Sequence, residues 1–292
     1  MPEVVLPASL AVVVLGLIAS VTWGASDFAG GWLSRRAPLI GVLLGTQGIG
    51  LLVALAAAAV RDEPALRPED VGWAALSGIL ASAGFAGLYG GLALGRMGIV
   101  APVTGLIVVA TPVIAGAILE GLPGPLTLVG IGLAGVAVVV VSLAPDDGSG
   151  RPIGLRYALV AGVGLGLTSV TISRLTDGAV FGPLVVMRGV ETVLFVSFIL
   201  VRRSPWRIGR PIWPWLLGAG ALDLVGNASF IAATQTGALA VAAVLSSMYP
   251  VVTVILAALV LREKMTRSHG VGLILAAIAI GLIVAGTRGQ AV

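Results

Sequence analysis

Long runs of uncharged, apolar residues follow one another along this chain with only short polar breaks between them. Each run is close to the ~20 residues that an α-helix needs to cross the hydrocarbon core of a bilayer. The breaks are too short to hold a soluble domain, so the runs decide the fold. Composition agrees. The chain is 58% hydrophobic and 10% charged, with a mean hydropathy of +1.10, whereas soluble domains carry roughly a quarter charged residues.

Ten spans are expected, near residues 8–31, 37–60, 71–94, 98–119, 125–144, 153–174, 181–201, 212–234, 238–261 and 269–286. Proline, glycine and charge mark the breaks: RRAP (35–38), RDEPALRPED (61–70), APDDGSGRP (144–152), RRSPWRIGRP (202–211) and LREKMTR (261–267). The N-terminal MPEVVLPASL lacks the basic region of a signal peptide, so the first run reads as a membrane helix. A net charge of +4 would ordinarily raise nucleic acid as a partner. Here the basic residues sit in short loops between spans, and no nucleic-acid partner is expected. Odd-numbered loops carry 12 Lys and Arg against 4 on the opposite side. The positive-inside rule then places odd loops in the cytoplasm and both termini outside. The expected setting is the inner cell membrane, as a multi-pass protein, monomeric or weakly dimeric.

The APDDGSGRP break falls at mid-chain and divides it into residues 1–146 and 147–292. The halves are related. Gly98 and Gly237 stand 139 apart, Pro112 and Pro250 138, and Thr127 and Thr266 again 139. Register held this closely over two spans is more than shared hydrophobicity produces. Five spans per half is an odd number, so the second half enters the membrane inverted. This is the inverted-repeat architecture of secondary transporters, with a substrate site near the midplane. The expected fold class is an all-α membrane protein of ten transmembrane helices in two inverted five-helix repeats.

Residues 249–284, YPVVTVILAALVLREKMTRSHGVGLILAAIAIGLIV, resemble the proline-bearing ninth helix, Glu-x-x-Thr turn and glycine-bearing tenth helix of the ten-helix EamA-type members of the drug/metabolite transporter superfamily. WGASDFAGGWLSRR, from Trp23, is similar to the family's first helix. The resemblance covers essentially the whole chain, but Gly124 stands opposite Glu263, so the first copy lacks that acid. It implies export of small metabolites, often amino acids or amphipathic drugs, through a cavity between the repeats. Amino acids are the expected substrates; efflux of amphipathic or cationic drugs is the alternative, and no cofactor is expected.

Within VVMRGVETVLFVSF (185–198), Arg188 and Glu191 share a helical face and can pair. A charge at a helix centre costs about 2.5–3.5 kcal/mol on insertion scales, so both must face the bundle, as a structural pair or as cavity-lining groups that meet a zwitterion. Asp27 stands about a turn from the end of the first span, within reach of interfacial water or of the cavity. Asp223 is mid-span, one turn before Asn227. A bond to Asn227 would satisfy it; without a partner, Asp223 could exchange a proton, as could Glu191. Trp23, Gln47, Tyr89, Thr104, Ser246, Ser247 and Tyr249 add the aromatic and polar groups of a small-molecule lining, although hydroxyls in membrane helices also bond their own helix or a neighbour. Tyr249 precedes Pro250, whose missing amide frees a carbonyl. Gly87, Gly91 and Gly95 form a strip for close helix approach, and Trp206, Trp213 and Trp215 look like interface anchors. An embedded enzyme is a distant alternative: the chain has no Cys, which also removes thiolate metal ligands, and its only His, His269, lies in a charged loop.

Overall fold

The computed structural model describes residues 8–34, 36–93, 97–119, 121–142, 153–237, 239–260 and 267–289. They form α1 (Ala8–Ser34), α2 (Leu39–Val60), α3 (Pro68–Ala93), α4 (Met97–Leu119), α5 (Pro125–Ser142), α6 (Ile153–Ile172), α7 (Phe181–Arg202), α8 (Trp213–Thr236), α9 (Leu239–Ser246), α10 (Tyr249–Val260) and α11 (Arg267–Gly289), with a 3-10 turn at Arg210–Ile212. No strand occurs among the described residues. The expected spans coincide with these helices apart from their end residues, with one exception. The 144–152 break and the Glu263–Thr266 turn lie outside the described residues, and His269 falls in the first turn of α11 rather than in a loop.

The exception is the ninth span, which is two helices. Pro250 has no N–H and its ring collides with the carbonyl four residues back. The chain ends α9 at Ser246 and restarts at Tyr249, which puts Pro250 in a first turn, where proline is tolerated. The Ala243 carbonyl accepts the Ser247 N–H at 2.9 Å and the Ser246 and Ser247 hydroxyls at 3.0 and 2.6 Å, closing α9. The counterpart, Pro112, stands inside an unbroken α4.

Helices α1, α2, α3, α7 and α8 hold stretches long and apolar enough to cross a membrane within the described residues, and α4, α5, α6 and α11 hold shorter ones. Leu52, Ile118, Leu200 and Leu259 remain exposed on the outer surface. Such a surface would be an aggregation hazard in water and suits lipid.

Packing obeys the repeat. α1 lies on α8 as α6 lies on α3, and α1 on α9 and α10 as α6 on α4. α2 lies on α8 as α7 on α3, while α2 packs with α7 and α5 with α11 across the symmetry axis. Exchanging each span for its partner five places on returns the same arrangement. Small residues permit it. A side chain at Gly164 would meet the Gly84 backbone and the Leu80 carbonyl at 2.9 Å, so α3 and α6 nearly touch. Gly87 of the expected strip shares this contact, facing Ala161 and the Tyr157 carbonyl; the surroundings of Gly91 and Gly95 lie outside the described residues.

The two faces join the halves by different chemistry. On the even-loop face, the Glu63 carboxylate accepts the Phe181 N–H at 2.9 Å and the Val180 and Gly182 N–H groups at 3.2 Å, capping α7 from the other half. Asp70 accepts the Thr176 N–H and hydroxyl at 2.8 and 2.9 Å, and Gln235 fastens the same 176–179 turn. On the odd-loop face the joint among the described residues is mainly apolar. Leu33, Val42, Ile49 and Leu216 cluster there, Trp32 lies 5.0 Å from Trp215, and the Ser26 hydroxyl reaches the Ala219 carbonyl at 2.9 Å.

Candidate functional site

Two helices bring charge to one buried point, and a third adds a neutral amide. Arg188 and Glu191, one turn apart on α7, pair at 2.7 Å and are 1% and 0% exposed. The guanidinium also donates to the Asp223 carboxylate on α8 and to the Gln47 side-chain oxygen on α2. A buried arginine demands this: its donors lose water on burial, and each that lacks an acceptor is costly. Gly50, one turn beyond Gln47, faces the arginine stem, and a side chain there would lie 3.5 Å from Nε, in ordinary contact. Arg188 Nε and Glu191 Oε1 have no hydrogen-bond partner.

Asp223 is therefore not an unpaired carboxylate. One oxygen takes Arg188, and Asn227 reaches the other at 3.5 Å while bonding the Asp223 carbonyl at 2.8 Å. Asp223 is 15% exposed, which makes it the opening of the cluster toward the cavity beside it.

That cavity offers about 90 Å³ of accessible volume, small beside the roughly 300–1,000 Å³ of ordinary small-molecule sites. Trp23, Asp27, Arg188, Asp223, Asn227 and Tyr249, all singled out in the sequence, line it. Trp23 sits 5.6 Å from Phe230 and edge-on to Tyr249 at 6.5 Å, forming an aromatic corner. α10 comes close to α1 there because Gly24 has no side chain to strike the Tyr249 carbonyl. Asp27 belongs to the cavity wall, not the interface, because α1 runs on to Ser34.

Other expected residues stand elsewhere. Gln47 and Glu191 lie behind Arg188 and hold it without lining the cavity. The Ser246 and Ser247 hydroxyls are spent on α9, and Thr104 donates to the Ala158 carbonyl at 3.3 Å, joining α4 to α6. The Tyr89 side chain lies outside the described residues. Phe85, Met187, Thr168, Ser169 and Phe230 line the cavity without having been singled out in the sequence. Phe85 and Phe230 carried a readable signal, as aromatic residues within spans that otherwise hold few.

A helical bundle of two equivalent halves, with a mainly apolar cavity that carries a few charged groups between them, defines a membrane carrier of the inverted-repeat class. The sequence profile of the EamA-like transporter family matches residues 10–143 and again 152–285, and the chain belongs to this family. It is an integral, multi-pass membrane transporter of small molecules, in a family of transporters and not of enzymes. A solved crystal structure is similar with a TM-score of 0.74 and 21% identity, over 96% of this chain and 99% of that chain, a likeness of fold. No curated protein matches the chain.

Proposed function

We propose that this protein exports small amphiphilic molecules carrying a protonated amine, by alternating access of the central cavity, across the cell membrane. The observation that carries this reading is the arginine's occupancy. Arg188 is engaged by Glu191, Asp223 and Gln47, so the one cation that lines the cavity among the described residues is already answered. Asp27 and Asp223 then present carboxylates beside Trp23, Phe230 and Tyr249. Acid beside aromatic faces suits an ammonium on an apolar body, through charge and cation–π attraction. A carboxylate facing such a cavity holds either a proton or the substrate's ammonium. Asp27 is thus positioned for exchange with protons, Asp223 only once Arg188 releases it, and Glu191, whose Oε1 has no donor, is a reserve site for one. The bodies that move are α6 packed with α3 and α4, and α1 packed with α8, α9 and α10.

Amino acids are the second reading, favoured by the presence of Arg188 in the cavity wall. A zwitterion would set its ammonium on Asp27 and its carboxylate on Arg188, displacing Asp223.

Liposomes with and without a pH gradient separate these readings when loaded with tyramine, tyrosine or the acid that lacks the amine. Tyramine export that rises with the gradient and falls at least about tenfold in Asp27→Asn, as loss of a charge contact implies, supports the first. Tyrosine export without tyramine export establishes the amino-acid reading. Export of the amine-free acid alone overturns both.

A further inference from the structure

The loop from α7 to α8 reads RRSPWRIGRPIW, residues 202–213. Arg202, Arg203, Arg207 and Arg210 are all exposed, and the chain holds no acid between Glu191 and Asp223. Among the described residues, the ion pairs belong to Arg188, and none of these four takes part in one. Elsewhere, exposed arginines lie on aromatic rings, Arg36 over Trp32 at 3.9 Å and Arg156 over Tyr157 at 5.0 Å. The four loop arginines have no such ring.

Their level in the membrane is marked by their neighbours. Trp206, Trp213 and Trp215 are 47%, 46% and 50% exposed, and Leu200, Val201 and Leu217 beside them are exposed apolar residues of the lipid-facing surface. Half-exposed indoles between an apolar belt and a basic loop stand at the headgroup layer. A partner meeting four guanidiniums there must be anionic and must reach them from the bilayer.

The same loop is bolted to the helices that build the charged cluster. It continues α7, which carries Arg188 and Glu191, and starts α8, which carries Asp223. It also rests on α2, which carries Gln47. The Trp206 carbonyl lies where a Gly41 side chain would be, and Ile208 and Ile212 pack against Leu33, Val42, Ile49 and Leu216.

We propose that residues 202–213 form a binding platform for anionic phospholipid headgroups, whose occupancy steadies α2, α7 and α8 and so the Arg188 cluster. Each arginine at a charged bilayer surface adds roughly a fivefold gain in affinity.

The test uses the full chain in neutral detergent, with thermal unfolding followed by tryptophan fluorescence. Phosphatidylglycerol should raise the unfolding temperature, while phosphatidylcholine and inorganic phosphate should not. The Arg203→Asn/Arg207→Gln/Arg210→Gln variant should lose that response. Asn suits position 203 because its φ of 50° is left-handed. Arg67→Gln/Arg174→Gln, on the opposite face, should keep it. Should the triple variant fail to fold, Arg207→Gln alone should shift the phosphatidylglycerol midpoint roughly fivefold. An unchanged response in both loop variants overturns the proposal, as does a wild-type shift that inorganic phosphate or phosphatidylcholine reproduces.

Discussion

Arg188 shows what a single charged residue requires in a membrane helix. Glu191 alone, one turn away, leaves most of the guanidinium unanswered, so α2 and α8 supply Gln47 and Asp223. Gln47 is 2% exposed, and its side-chain oxygen accepts from Arg188. Its role is testable in isolation. Gln47→Leu preserves bulk and removes an acceptor from a buried cation, so it is expected to lower unfolding stability by about 1–3 kcal/mol, read by thermal unfolding in detergent. A neutral result would mean that the guanidinium finds another acceptor. The neighbouring Asp223 is a different kind of residue, since it is held by Arg188 on one side and opens to the cavity on the other.

At the scale of elements, helix contact is set by where a Cβ is absent. Gly164→Ala would press a methyl against the Gly84 backbone and the Leu80 carbonyl at 2.9 Å, and overpacking against backbone costs about 1–3 kcal/mol. Gly218, on the exposed side of α8, has nothing within 4 Å of an added Cβ. Gly218→Ala is therefore expected to be neutral or stabilising, by up to about 1 kcal/mol from helix propensity. Comparing the two unfolding temperatures checks both, and equal losses would show that the glycines act through something other than contact. Helix positions were legible in the sequence because lipid imposes a length on each element, and a run of apolar residues displays that length directly. The break between α9 and α10 was less so: Pro250 announced a disturbance, but Pro112 carries the same signal inside an unbroken helix. The Arg188–Glu191 pair could be read because both ends lie on one helix. The bonds from Arg188 to Asp223 and Gln47 could not, because they depend on how α2, α7 and α8 are rotated against each other. That rotation also sends Ser246 into its own helix and Phe85 into the cavity.

Over the whole molecule, the symmetry of packing is broken at its joints. One face is held by carboxylates on backbone amides, Glu63 on the α7 N-terminus and Asp70 on Thr176; the other is held mostly by apolar and aromatic contact. A carboxylate at a helix N-terminus is worth about 0.3–2 kcal/mol, and hydrogen bonds to a charged group about 1.5–3 kcal/mol. A carrier with such unequal joints does not divide its time evenly. A bias of about 3 kcal/mol corresponds to roughly two powers of ten in population, so the molecule is expected to rest shut toward the even-loop side. The chain's lack of cysteine makes this measurable, because a single Ser169→Cys in the cavity becomes the one thiol present. In that background, Glu63→Gln/Asp70→Asn is expected to speed labelling by an impermeant maleimide from the even-loop side and to slow it from the other. Unchanged labelling would mean that these bonds do not set the resting conformation. If the rates shift as expected, the Glu63 cap makes the protein a rectifier: a carrier whose idle state offers its cavity to one compartment, and whose backward leak is limited by how seldom two carboxylates let go.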